Sequence, residues 1–79
     1  MRYDNEYLVD KILDSKLNSN HEIMYLVRWK DFPPEEDTWE PLANMNNCLP
    51  KVRKFHALNP GKPCPPRKLL FKRRMMLRK

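Results

Sequence analysis

Apolar side chains recur at two different periods along this sequence. Residues 6–17 predict a strand, with Tyr7, Val9 and Leu13 on one face and Leu8 and Ile12 on the other, so both faces carry apolar groups. Asn18-Ser19-Asn20 is a turn signal. Residues 22–30 predict a second strand, in which Ile23, Tyr25, Val27 and Trp29 alternate with Met24, Leu26, Arg28 and Lys30. The two strands read as an antiparallel hairpin. Asp31 to Asp37 is an acidic loop stiffened by Pro33 and Pro34, which lack backbone donors. Thr38-Trp39-Glu40 predicts a short third strand ending at Pro41, and residues 42–46 read as extended or irregular. The period then lengthens. Asn46 or Asn47 can cap a helix, and Pro50 is tolerated in its first turn. Cys48, Val52 and Phe55 follow at helical spacing with Leu49 alongside, while Lys51, Arg53 and Lys54 take the wet face. Asn59-Pro60-Gly61 stops the helix.

The order is strand, strand, short strand, helix, tail, which makes a small α+β domain. Three short strands cannot cover their own sheet, so the helix is expected to finish the core. A sheet edge left open attracts the backbone of a partner strand. Residues 60–66 hold four of the eight prolines and are expected to lie outside an ordinary core. Seventy-nine residues make one domain at most, with a thin core and modest stability.

Charge changes the picture at one end. Residues 1–66 are close to neutral, whereas residues 67–79 hold seven Lys/Arg and no acid, so the net charge of +6 belongs to the tail. Arg67, Lys68, Lys72, Arg73, Arg74, Arg78 and Lys79 form a nucleic-acid arm or a nuclear import signal on this reading. Their apolar neighbours also permit a basic amphipathic helix, and the plainest alternative is a solvated end. No run approaches the roughly 20 apolar residues of a membrane span, and no signal peptide is visible. Cys48 and Cys64 are not expected to pair. His21, Cys48, His56 and Cys64 fit no common zinc spacing, so neither a metal nor a cofactor is expected. A single glycine leaves no phosphate-cradling loop, and no nucleophile shows a base and orienter by spacing, which argues against an enzyme.

Tyr7, Trp29 and Phe32 stand where a small β domain can bring three rings around a cation. An open aromatic cage recognises a quaternary ammonium group, because ring faces offer negative quadrupole density and apolar contact together. The competing reading is that all three are core, since large rings dominate small cores. Trp39, in its Thr-Trp-Glu-Pro setting, reads as core rather than cage.

The segments Glu6–Leu13, Tyr25–Phe32 and Glu36–Pro41 resemble, in order and spacing, the three signature blocks of a chromodomain. The resemblance spans about residues 5–58. It divides the chain into a flexible segment (1–5), the chromodomain (6–58), and a Pro-rich linker with a basic tail (59–79). It implies a three-stranded curved antiparallel β-sheet closed by a C-terminal α-helix. It also implies that a methylated histone H3 tail enters as an extended strand, read at trimethylated lysine 9, with the twenty-seventh residue as the alternative. On that pattern Tyr7, Trp29 and Phe32 match the methyl-lysine cage and Glu36 the acid beside it. Glu40 and Asn44 match residues that hold the peptide, and Glu6, Leu8 and Val9 the flank that pairs with it. Asp31 stands where many members have glycine. One extra position follows Asn44, which takes Asn46 and Asn47 out of step with the family's peptide contacts. The phrase Phe55-His56-Ala57-Leu58-Asn59-Pro60 resembles the end of chromodomains attached to retroelement integrases, whose targeting module is a second identity for this chain. The third is a nucleic-acid module, binding DNA or RNA, in which the tail dominates. A dimerising relative is disfavoured by the complete cage, so a nuclear monomer is expected.

Overall fold

The protein is described from a computed structural model, which covers residues 8–71. Glu6, Tyr7 and the tail residues Lys72, Arg73, Arg74, Arg78 and Lys79 lie outside the described residues, as does the segment 1–5.

Three antiparallel strands, β1 (Val9–Leu17), β2 (Ile23–Trp29) and β3 (Thr38–Pro41), form one sheet in the order β1-β2-β3. A helix, α1 (Leu49–Leu58), follows them. This is the α+β architecture expected from the pattern. In β2 the period of two holds throughout. Tyr25 and Val27 are fully buried, while Ile23 and Trp29 pack against the same cluster from either end.

β1 departs from a simple alternation. Its pairing with β2 shifts register between Val9 and Lys11 and again between Ile12 and Asp14. Each irregularity gives β1 one residue more than its partner, which turns the following side chains to the opposite face. As a result Ile12 opposes Val27 and Ser15 opposes Tyr25, and both are buried although three positions separate them. The bulges also increase local twist, which curves the sheet over its core. The connecting turn is held by Asn18, whose Oδ1 accepts from the backbone N–H of Asn20 at 2.8 Å and of Glu22 at 2.9 Å.

Trp39 is a correction. It pairs with Leu26, on the face away from Tyr25 and Val27, and it is half-buried with the Lys16 ammonium 4.1 Å from its ring centre. A cation over the ring and an aliphatic lysine stem shield it there, without a place in the core.

Residues 42–46 are not extended. Leu42–Cys48 forms a 3-10 helix that buries Met45 and leads directly into α1. That changes the start of α1: Cys48 holds the cap position, with no side-chain cap bond, and neither Asn46 nor Asn47 serves. Pro50 falls in the first turn, as its missing N–H allows. Val52 and Phe55 join the buried cluster of the sheet, with Cys48 packed against it, and Leu49 is buried as well. At the far end the Asn59 side chain and backbone N–H both donate to the Phe55 carbonyl.

The proline segment does not stay off the core. Pro65 is buried, and a short helix, α2 (Arg67–Leu70), places Leu70 in the central cluster with 5% of its surface exposed. Three polar contacts tie this strap down. The buried Ser15 hydroxyl donates to the Pro63 carbonyl at 2.8 Å. Lys62 pairs with Asp14 at 2.7 Å. Arg53 donates to the Leu70 carbonyl at 2.7 Å. Proline is excluded from helix and sheet interiors by its missing donor, but that rule does not keep it from covering a core edge.

Candidate functional site

The core face of the sheet continues past its packed centre into an open cleft of about 660 Å³. Leu8, Val9, Trp29, Phe32, Glu36, Thr38, Glu40, Asn44, Asn47 and Cys48 line it. Every described residue that the sequence suggested for a cage, its acid or its peptide flank is therefore in one place. No basic residue lines the cleft among the described residues, and two glutamates do.

Each side chain reaches the cleft by a local device. Trp29 ends β2 and carries on its inward alternation. The chain then reverses: the Phe32 N–H donates to the Trp29 carbonyl at 3.1 Å, and Asp31 adopts a left-handed φ of 67°. A turn of this kind favours glycine, and Asp is among the few other residues that tolerate it. The departure at Asp31 thus keeps the turn and accepts some backbone strain. Phe32, with 40% of its surface exposed, is returned beside Trp29. A single 3-10 turn, Pro34–Glu36, then sets Glu36 on the rim.

Asp37 is held in an ion pair. Arg28 grips it with two nitrogens, at 2.6 and 2.9 Å, in a fork geometry that fixes the start of β3 against β2. The hydrogen bond from Arg28 holds the Asp37 carboxyl below the usual carboxylate range, against a smaller opposing effect of burial.

A chain of hydrogen bonds crosses the cleft floor. The Trp29 indole N–H donates to the Thr38 hydroxyl at 2.9 Å, which donates to one Glu40 oxygen at 2.8 Å. The other Glu40 oxygen accepts from the Asn44 amide at 2.9 Å. This relay sets the plane of the indole and orients both polar side chains at once. Thr38 was not singled out from sequence, though a signal existed: positions 38 and 40 of one strand share a face, with Trp39 on the other. Asn47 and Cys48 are further lining residues beyond the expected set. Cys48 serves both the core and the cleft wall, and burial pushes its thiol pKa up, which makes it a poor nucleophile. Among the described residues no group of three His, Cys, Asp or Glu is placed to hold a metal, and no helix is long and apolar enough to cross a membrane.

Comparison with known proteins agrees with this geometry. The Chromo (CHRromatin Organisation MOdifier) domain family matches residues 7–58. The chromo domain-containing protein rhino of Drosophila melanogaster is 44% identical over 52 residues, covering 66% of this chain and 12% of its own length. Testis-specific chromodomain protein Y 1 of Homo sapiens is 39% identical over 51 residues, or 65% of this chain and 9% of its own. DNA (cytosine-5)-methyltransferase 2 of Zea mays is 34% identical over 53 residues, or 63% of this chain and 6% of its own. The chain thus spans a small fraction of the length of these relatives. The curved three-stranded sheet, its closing helix and the match across residues 7–58 place this chain in the chromodomain family.

Proposed function

We propose that the cleft binds a methylated lysine, in its trimethylated form, within an extended histone H3 tail read at the ninth residue. Chromodomains are non-catalytic, chromatin-associated reader modules, and the family match across residues 7–58 supports that character for this module. The observation that carries the finer reading is the meeting of Trp29 and Phe32 with Glu36, Glu40 and Asn44 around one open, acid-lined cleft. In this reading Tyr7 supplies the third ring and Glu6, Leu8 and Val9 the flank beside which the peptide lies.

The chemistry follows from the ligand. Trimethyl-lysine keeps its charge but has lost its N–H donors and much of its hydration, so it leaves water at lower cost than a bare ammonium. Each well-placed ring contributes about 0.5–2 kcal/mol, and Glu36 adds attraction at the rim. Glu40 and Asn44, held by the relay, present polar atoms to the peptide, while its main chain pairs as an added strand. Ordering an extended tail offsets much of this, so affinity is micromolar, about −7 to −8 kcal/mol. The module acts as a monomer in the nucleus, on chromatin, in transcriptional silencing.

Titration with trimethylated and unmodified H3 peptides tests the reading by fluorescence anisotropy. The expected result is at least about tenfold preference for the methylated form, equivalent to 1.4 kcal/mol. Phe32→Ala, at a half-exposed position, removes that preference while leaving the fold intact, and Trp29→Ala removes it with some loss of stability. Equal affinity for both peptides overturns the proposal.

A further inference from the structure

The two halves of the chain differ in charge more sharply than the tail alone suggests. All ten acidic residues lie within the first forty positions, and from Pro41 to Lys79 there are eleven Lys/Arg and no acid. Folding joins the two sets at one ion pair among the described residues, Lys62 with Asp14, and otherwise keeps them apart. The cleft draws its charged groups from the first half, whereas α1, the strap and α2 come from the second.

At the end of the strap the basic groups converge. The guanidinium of Arg53, from α1, lies 4.6 Å from the centre of the Phe71 ring, and that of Arg67, from α2, lies 4.7 Å from the same centre. Phe71 keeps 45% of its surface exposed. Lys68 and Lys54, next in sequence to these arginines, are both exposed. Among the described residues neither arginine is paired with a carboxylate; the ion pairs there are Arg28 with Asp37 and Lys62 with Asp14. Packing the strap onto α1 therefore gathers like charge with no carboxylate paired to it among the described residues. Such repulsion is relieved when an anion joins the cluster.

We propose that Arg53, Arg67 and Phe71, flanked by Lys54 and Lys68, form a folded binding face for the phosphate backbone of nucleic acid. This face lies on the folded domain, ahead in sequence of the basic residues 72–79. Guanidinium groups suit phosphate because their fixed fork matches its oxygens, and the Phe71 ring holds the two of them together. A polyanion is the partner that a basic cluster with no paired carboxylate among the described residues admits, and the glutamates of the cleft repel it. A cationic histone tail and an anionic nucleic acid consequently sort to separate sites on one small domain.

The test uses the full 79-residue chain and a labelled short DNA duplex of arbitrary sequence, titrated between about 50 and 200 mM salt. One variant carries Lys54→Gln, Arg67→Gln and Lys68→Gln; the other neutralises Lys72, Arg73, Arg74, Arg78 and Lys79 to Gln. Thermal unfolding confirms that each is folded. The face variant is expected to bind about tenfold or more weakly, with a salt slope shallower by roughly 0.9 for each phosphate it no longer neutralises. The tail variant is expected to keep measurable, salt-dependent binding. Unchanged duplex affinity in the face variant, or none in the tail variant, overturns the proposal by assigning binding to the tail alone. Tighter binding to phosphatidylserine-containing vesicles than to the duplex overturns it in favour of a membrane surface.

Discussion

The mouth of the sheet and the strap behind the helix treat their apolar groups in opposite ways. At the mouth, Leu8 and Phe32 stay 59% and 40% exposed, and the structure there is organised by polar contacts: the fork of Arg28 on Asp37 and the relay from Trp29 to Asn44. In the strap, Leu70 and Pro65 are buried, while Arg67 and Lys68 are left exposed. A surface that must receive a ligand keeps its apolar area available and uses directional bonds to hold it in place. A segment that completes a core gives up its apolar area for stability, and its polar contacts, Lys62 with Asp14 and Ser15 with Pro63, serve to tie it down.

The sharpest break of this contrast is Leu70→Ala against Leu58→Ala. Leu70 is central to the cluster, so its truncation is expected to cost about 2–4 kcal/mol in denaturant unfolding. Leu58, 69% exposed at the end of α1, is expected to change stability by about 0.5 kcal/mol or less. Equal effects would show that the strap is not part of the folded unit.

Thr38→Val probes the mouth in the same manner. The substitution keeps the shape and removes the acceptor for the indole and the donor to Glu40. Loss of these bonds is expected to weaken peptide binding by about 1 kcal/mol, roughly fivefold, with a stability change of similar size. Asp31→Gly should act in the other direction. Relief of the left-handed strain, about 1–2 kcal/mol, is partly offset by the greater freedom of glycine in the unfolded chain, leaving a gain of up to about 1 kcal/mol.

Acid distinguishes the two regions least. Asp37 at the mouth is held low by Arg28, and Asp14 is held low first by the hydrogen bond from Lys62 in the strap. Both carboxylates therefore favour the folded state above the unfolded pKa of about 3.9, and that contribution fades as pH falls through their lower folded values. His56 acts earlier. Burial lowers its pKa, so below about 6.5 the unfolded chain takes up a proton that the folded chain resists, and stability declines as pH drops. Its Nε2 sits 2.8 Å from the Tyr25 hydroxyl, and its Nδ1 is buried without a partner among the described residues. Unfolding followed across acid pH should show the His56 phase first; Asp14→Asn and Asp37→Asn should each flatten only the lower one.

Much of the site was legible because strand periodicity is short-ranged. The alternation of Ile23, Tyr25, Val27 and Trp29 needs no tertiary knowledge, and it carries Trp29 to the mouth on the core face. The same reasoning failed in β1, where two bulges bring Ile12 and Ser15 to one side. The reading of Trp39 failed too: its Thr-Trp-Glu-Pro setting suggested the core, but its strand position turns it away. The first error is not visible locally, since a bulge is decided by what the neighbouring strand offers to pair with; the second is, because alternation already sets Trp39 on the face opposite to Thr38 and Glu40. The strap was misjudged for a related reason. Proline content says which hydrogen bonds a segment cannot make, but nothing of which surface it can cover.

The order of elements, the two aromatic positions at the mouth and the division of acid from base were settled by the residue pattern, because each depends on spacing along one chain. What folding alone decided was which groups meet across long separations: Thr38 beneath the Trp29 indole, Ser15 under Pro63, and Arg53 and Arg67 on one ring. Those meetings depend on the curvature of the sheet and on the space left uncovered beside α1, which are properties of the packed whole.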